Sequence, residues 1–148
     1  MTTAHRYRLR VYYEDTDAGG IVYHANYFHF AERARTEALR EAGIPHSKLV
    51  RDFGRMLVVR RSEIDYLRPA KLDELLTVVT EPISVGGASM VLRQNCEALG
   101  GETCARLVLR LACVTIGGLR GDGAADMPRP ARLPPAWRDG LLAMMATQ

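Results

Sequence analysis

The sequence predicts an α+β protein, an antiparallel five-stranded sheet wrapped around one long helix. Three observations lead there. One alternating apolar–polar segment is followed by a single long helical pattern and then by four further strand-like segments. The helical stretch carries a stripe made mostly of alanine, which lets a curved sheet approach its backbone closely. No internal repeat occurs and no linker is long enough to separate domains, so residues 1–148 are read as a single domain. A chain of this length buries about 70% of its unfolded surface on folding, without needing a metal or a disulfide.

Arg6 to Tyr13 alternates, with Tyr7, Leu9, Val11 and Tyr13 on one face and Arg6, Arg8 and Arg10 on the other, the pattern of a half-buried strand. A turn follows at Gly19 and Gly20. Asn26 is the expected N-cap of a helix from about Tyr27 to Ala42, which Gly43 and Pro45 stop. On that helix Tyr27, Ala31, Ala34, Ala38 and Ala42 form the stripe, Phe30 and Leu39 flank it, and Arg33, Glu37, Arg40 and Glu41 belong to a wetter side. Beyond a short loop, Met56 to Tyr66 reads as a strand ended by Leu67-Arg68-Pro69-Ala70. Glu74 to Glu81 is the next strand. In Ala88 to Ala98, Met90, Leu92, Gln94 and Cys96 alternate with Ser89, Val91, Arg93 and Asn95. Leu99-Gly100-Gly101-Glu102 is a hairpin signal leading into Thr103 to Ile116. Residues 117–148 read as an irregular tail, rich in Gly, Pro, Asp and Arg as far as Pro135, with a short terminal helix over Pro134 to Met145. An open antiparallel sheet exposes its edge strands, and pairing edges across a dimer is one way to protect them.

A hydrophobic fraction of 47% and a charged fraction of 25% are ordinary globular values. No apolar run approaches the about 20 residues of a membrane span. Met1 to Arg10 lacks the apolar stretch of a signal peptide, so a soluble, cytoplasmic protein is expected. The net charge of +3 comes from 18 Arg and 2 Lys against 17 acidic residues. These arginines are dispersed, with no run longer than Arg60-Arg61, which argues against nucleic acid, while their forks suit phosphate groups on a ligand. Cys96, Cys104 and Cys113 show no C-x-x-C spacing and sit in apolar strands, so they read as buried thiols.

The chemistry concentrates in Tyr12-Tyr13-Glu14-Asp15-Thr16-Asp17-Ala18-Gly19-Gly20-Ile21-Val22-Tyr23-His24-Ala25-Asn26-Tyr27. Here a carboxylate and two glycines, which permit close backbone approach, precede a helix start whose first N–H groups lack intrahelical partners. Such a junction can attack one end of a carbonyl while polarising the other. Metal binding fails on spacing. An EF-hand loop starting at Asp15 would need an oxygen ligand at Gly19 and a glutamate at Asn26, and His24 and His29 do not share a helical face. His29 reads as a partly exposed helix residue, and Asp15 and Glu14 as structural members of the junction. Asp17 has a plain alternative as a turn residue bonding nearby N–H groups, and His24 as a residue that only packs there. There is no G-x-S-x-G, no recognisable cysteine nucleophile, no G-x-G-x-x-G and no Walker sequence. If the protein is an enzyme, a carboxylate does the work.

Arg10-Val11-Tyr12-Tyr13-Glu14-Asp15-Thr16-Asp17-Ala18-Gly19-Gly20-Ile21-Val22-Tyr23-His24, continuing through Tyr27 and Glu32-Arg33-Ala34-Arg35-Thr36-Glu37, resembles the hotdog-fold acyl-CoA thioesterases. More narrowly, it is similar to the Tol–Pal-associated acyl-CoA thioesterases, relatives of 4-hydroxybenzoyl-CoA thioesterase. Val58-Val59-Arg60-Arg61 and Asp65-Tyr66-Leu67-Arg68-Pro69-Ala70-Lys71-Leu72-Asp73-Glu74 form a second family-like segment. The likeness covers roughly residues 6 to 116.

The resemblance implies a hotdog fold whose dimers join their sheets edge to edge and often pair into tetramers, with the active site between subunits. It implies hydrolysis of an acyl-CoA to free acid and CoA, with no cofactor beyond the CoA of the substrate. Asp17 matches the family's catalytic aspartate, as nucleophile or general base. The backbone N–H of His24 matches the group that polarises the thioester carbonyl, and the His24 side chain and Tyr13 are further expected participants. Arg60, Arg61, Arg93 and Arg132 are the expected partners of the CoA phosphates, and acyl carrier protein is a further candidate partner. The alternatives are a non-hydrolytic acyl-CoA or acyl-carrier-protein binding module and a hotdog-fold dehydratase, whose histidine–acid motif is placed differently. Short, long and aromatic acyl groups all stay open. In two places the chain departs from the family pattern: Ser84-Val85-Gly86-Gly87-Ala88-Ser89 lacks the basic residue often found there, and the tail from Gly117 to Arg132 is longer and richer in glycine.

Overall fold

The computed structural model describes residues 4–117 and 127–145. Its elements in chain order are β1 (His5–Arg10), α1 (Asn26–Glu41), α2 (His46–Phe53), β2 (Arg55–Tyr66), β3 (Leu75–Val85), β4 (Ser89–Ala98), β5 (Thr103–Thr115) and α3 (Pro135–Ala143). The strands form one five-stranded sheet in the order β1-β3-β4-β5-β2. Every neighbouring pair is antiparallel.

α1 lies against one face of this sheet. Tyr27, Phe30, Ala31, Ala34, Ala38 and Leu39 are buried there, all but Ala38 in one core with Val78, Leu92, Leu107 and Leu109 of the strands. The alanines keep the helix axis close to the strands, as their small side chains predict, although Ala42 falls beyond the covered stripe and is exposed. Arg35 also points inward. Its Nη1 donates to Gln94 Oε1 at 2.9 Å, and Gln94 Nε2 donates to the Ala31 carbonyl and to Thr80 Oγ1, both at 2.9 Å. Arg35 Nη2 also meets Glu32 at the rim. Buried polar groups persist when each finds partners of this kind. Cys96, Cys104 and Cys113 are buried free thiols, as expected.

Several boundaries differ from the sequence reading. β1 stops at Arg10 instead of continuing to Tyr13, because Asp15 Oδ2 accepts the Tyr12 N–H at 2.8 Å and the chain turns into a single 3-10 turn over Tyr13–Asp15. Asn26 is the first residue of α1 and not its N-cap; Ala25 holds that position without a side-chain bond. The loop expected after Gly43 contains α2, seated by the buried Leu49 and closed by Gly54 in the left-handed region at φ 62°. β3 runs on to Val85 through Pro82, where a bulge falls between Pro82 and Ser84. Proline is tolerated there because β1 pairs with β3 only as far as Thr80, leaving that flank of the strand open.

Residues 118–126 of the expected irregular tail lie outside the described residues. The chain beyond them is pinned to the sheet. The N–H of Thr115 donates to Arg129, that of Ala131 to Cys113 and that of Leu133 to Gly87, at 2.8, 2.9 and 2.8 Å. α3 is the expected terminal helix, and it sinks Trp137 and Leu141 into the core. No helix among the described residues is long and apolar enough to cross a membrane.

Candidate active site

Between the 3-10 turn and α1 the chain makes a tight loop. The Gly20 N–H donates to the Asp17 carbonyl and the Asp17 N–H to the Ile21 carbonyl, both at 3.0 Å, while Thr16 and Val22 form a bridge. Gly20 takes φ 75°, the left-handed conformation that closes such a loop and that favours glycine. Asp17 Oδ1 accepts the Gly19 N–H at 2.8 Å. A Cβ on Gly19 would stand 3.3 Å from that oxygen, so glycine here leaves the carboxylate its room. The turn-residue role foreseen for Asp17 is therefore real, yet it uses only one carboxylate oxygen.

The loop is tied on both sides. Val22 N–H donates to the Ala70 carbonyl at 2.8 Å, and Ile21 bridges Lys71. The Asp15 carbonyl accepts the Tyr23 N–H at 3.0 Å and Asn26 Nδ2 at 2.8 Å, which makes Asp15 structural, as read from the sequence. The Tyr23 carbonyl accepts the Asn26 N–H at 2.8 Å. The His24 N–H, on the opposite side of that peptide unit, is thereby turned away from the helix, and among the described residues it meets no acceptor. It stands at the start of α1, where the helix dipole favours negative charge.

Asp17 and His24 line one cleft of about 420 Å³ with Val22, Tyr27, Tyr66 and Arg68. Its walls are largely apolar. The His24 ring lies 4.5 Å from that of Tyr23 and 6.3 Å edge-on from that of Tyr66. Burial raises the hydroxyls of Tyr27 and Tyr66 above the ordinary phenol range, so both stay protonated at neutral pH. Among the described residues no three His, Cys, Asp or Glu side chains converge as a metal site.

The expected site residues do not all gather here. Tyr13, 82% exposed on the 3-10 turn, is not part of the cleft lining. None of Arg60, Arg61, Arg93 and Arg132 lines it either. Arg61 pairs with Glu63 at 2.7 Å, and Arg93 forks onto Glu81, with Nε at 3.0 Å. Arg60 sits at the β2 bulge, and Arg132 lies at the far end of the sheet beside Arg55. His29 is exposed on α1, as expected.

Two residues in the cleft escaped the sequence reading. Tyr66 donates its hydroxyl to the His24 carbonyl at 3.0 Å, reaching the helix start from the last residue of β2. Arg68 meets Glu74 at 3.1 Å and Glu102 at 2.9 Å, which neutralise its charge. Both lie in the segment Asp65 to Glu74 already picked out as family-like, the one signal that could have found them.

A helix cradled by a five-stranded antiparallel sheet is the hotdog arrangement of the thioesterases. A sequence model of the Thioesterase superfamily matches residues 19–105, and the chain belongs to that family as a thioester hydrolase. Among its relatives, the acyl-CoA thioesterase YbgC of Haemophilus influenzae is 44% identical over 112 residues, covering 76% of this chain and 82% of that protein. The acyl-CoA thioester hydrolase YbgC of Escherichia coli strain CFT073 is 48% identical over 94 residues, covering 64% of this chain and 69% of that protein. The crystal structure of a probable thioesterase from Bartonella henselae superposes with a TM-score of 0.74 at 34% identity, covering 88% of this chain and 99% of that one.

Proposed function

We propose that the chain hydrolyses acyl-CoA thioesters to free acid and CoA, with Asp17 acting at the carbonyl carbon while the start of α1 holds the carbonyl oxygen. The observation that carries this reading is that Asp17 and His24, whose backbone N–H is unpartnered among the described residues, line one largely apolar cleft. The activities named for the relatives in H. influenzae and E. coli support the acyl-CoA part of it.

With the carbonyl seated over the helix start, the His24 N–H and the helix dipole stabilise the developing oxyanion. Such a donor is worth about 2.7 to 4 kcal/mol in the transition state. Asp17 Oδ1 is held by Gly19, and the second oxygen is left to act. As a base, it takes a proton from water while the water oxygen bonds to the acyl carbon; the C–S bond then breaks and the proton passes to the sulfur. As a nucleophile, it bonds to the acyl carbon itself, CoA thiolate leaves, and water cleaves the mixed anhydride. Mass spectrometry of enzyme quenched within one turnover separates the two routes, since only the second leaves an acyl adduct on Asp17. The His24 ring orients the water or the leaving thiolate.

We assign the chemistry to Asp17 and His24 and leave Tyr13 outside it, because its side chain is exposed away from the cleft lining. Arg60 and Arg132, which meet no carboxylate among the described residues, remain candidates for the CoA phosphates. β2 is an edge strand with an unpaired flank, and we extend the reading to a homodimer paired along that edge. On the sequence resemblance alone we extend it further to tetramers, a cytoplasmic location, Tol–Pal association and acyl carrier protein as a second thioester carrier.

The test is CoA release from a panel of short, long and aromatic acyl-CoAs. Asp17→Asn is expected to lower kcat by at least about 100-fold, the low end for a general base. Equal release by both proteins would overturn the assignment of Asp17, and release from no substrate would favour the binding-module alternative.

A further inference from the structure

Tyr66 to Pro69 wall the cleft, and with Ala70 they form the run that leaves β2 for β3. This short run touches both halves of the site. Tyr66 donates its hydroxyl to the His24 carbonyl at 3.0 Å, and the Ala70 carbonyl accepts the Val22 N–H at 2.8 Å. Val22 in turn closes the loop that carries Asp17, through its bridge to Thr16. How the Asp17 loop stands against the His24 peptide is therefore set in part by how firmly this one run is held.

The backbone of the run gives it little hold. Pro69 has no N–H to donate, and the Leu67 and Arg68 N–H groups share one acceptor, the Cys104 carbonyl, at 2.8 and 3.1 Å. The Arg68 side chain supplies the rest. Its guanidinium forks onto Glu74, with Nη2 to Oε1 at 3.1 Å and Nη1 to Oε2 at 3.3 Å, and its Nε meets Glu102 at 2.9 Å. Nη1 also lies 3.4 Å from the Cys104 sulfur. The two carboxylates stand on separate parts of the fold. Glu74 is tied to the chain leaving β1, where its carbonyl accepts the N–H of the fully buried Val11 at 2.9 Å. Glu102 belongs to the hairpin between β4 and β5, where its carbonyl accepts the Ala98 N–H at 2.7 Å. An isolated exposed ion pair contributes little, but a forked guanidinium shared by two anchored carboxylates fixes a geometry. A cation matched in this way is also poorly placed to bind an anionic part of the substrate.

We propose that Arg68 is a positioning residue of the thioesterase site: by pinning the run from Tyr66 to Ala70 to Glu74 and Glu102, it fixes the Asp17 loop and the His24 peptide relative to each other. This rests on the assignment of Asp17 and His24 made above. The guanidinium takes no part in the reaction itself. It acts through two hydrogen bonds, that of Tyr66 to His24 and that of Val22 to Ala70. Its loss leaves the substrate bound but misaligned, and a misplacement of about 1 Å can cost about 100-fold in rate.

The test compares the wild type with Arg68→Met, which keeps an apolar stem beside Cys104 without the charge, and with Arg68→Lys, a point charge without the fork. Arg68→Met is expected to lower kcat for acyl-CoA between about ten- and a hundredfold with KM little changed, and Arg68→Lys to recover part of that loss. In Arg68→Met/Tyr66→Phe the two losses are expected to combine to less than their product, since both act on the His24 peptide. A raised KM at unchanged kcat, or losses that multiply, overturns the proposal. So does a lowered melting temperature with kcat intact, the mark of a merely structural pair. Should Arg68→Met fail to fold, Glu102→Gln on an exposed side chain decides in the same way. A lowered kcat at unchanged KM then supports the pin, and an unaltered kcat overturns it. Amide hydrogen exchange gives a second readout. The Val22 N–H is expected to exchange faster in the variant while the amides of β5 keep their protection, and equal exchange at Val22 overturns the proposal. Were no thioester cleaved by the wild type, the reading of the activity would fall, while exchange at Val22 would still decide the pin.

Discussion

Tyr66 places a hydroxyl on the His24 carbonyl and so fixes the first turn of α1 from a strand that is remote in sequence. Removing that hydroxyl leaves the ring and its packing on Tyr27 in place. Tyr66→Phe is expected to lower kcat by about two- to thirteenfold, the range of a neutral hydrogen bond worth about 0.5 to 1.5 kcal/mol. Its melting temperature should change little, and an unaltered kcat would show that the bond does not position the helix start. The shared cleft of Asp17 and His24 was legible because both lie within one short run of the chain. Tyr66 was not, because its bond spans 42 positions and nothing local to it announces an acceptor. Tyr13 misled for a related reason. The apolar alternation continues through it, but the Asp15 carboxylate has already turned the backbone aside.

α1 was the most legible element, since its stripe of small residues repeats at the helical period and Gly43 marks its end. Its deepest polar contact was not legible. Arg35 looks like one more surface charge until Gln94, 59 residues away, comes to meet it. Gln94 is fully buried, and its amide holds Ala31, Thr80 and Arg35 together. Gln94→Leu would remove its bonds to all three, and is expected to destabilise the fold by about 1 to 3 kcal/mol in urea unfolding, the penalty of a buried group left without its partner. α2 was missed because Leu49 is its single buried residue, and one inward side chain makes no periodic stripe. Pro45 before it and Gly54 after it are its boundary signals, and both also read naturally as loop.

Over the whole molecule, alkali should weaken the fold. Burial pushes the Cys96 thiol up to about 12 from its ordinary 9.0, and raises the Tyr27 phenol as well. Both groups hold their protons longer in the folded state than in the unfolded one. The Cys96 contribution is therefore complete below pH 9 and is lost as pH rises towards 12, while that of Tyr27 is complete below pH 10 and is lost at still higher pH. A melting temperature that falls steadily across that window is expected, and a flat profile would count against the burial of these groups. The sheet order could be foreseen only as a count of strands, because which strand becomes an edge is set by pairings far apart in sequence. β2 is one of the two edges, with Val59 45% exposed near its middle. If the proposed dimer pairs along this edge, Val59→Asp is expected to shift it towards monomer in analytical ultracentrifugation and to lower activity with it. The strand that would join two copies also ends in the cleft, at Tyr66. In the proposed dimer a substrate seated there lies at the seam, and by mass action it would draw single chains together, multiplying their apparent association constant by one plus the ratio of its concentration to its Kd for each site filled. Diluted enzyme would regain specific activity as substrate is raised, and the supply of thioester would itself set how much of the protein stands assembled.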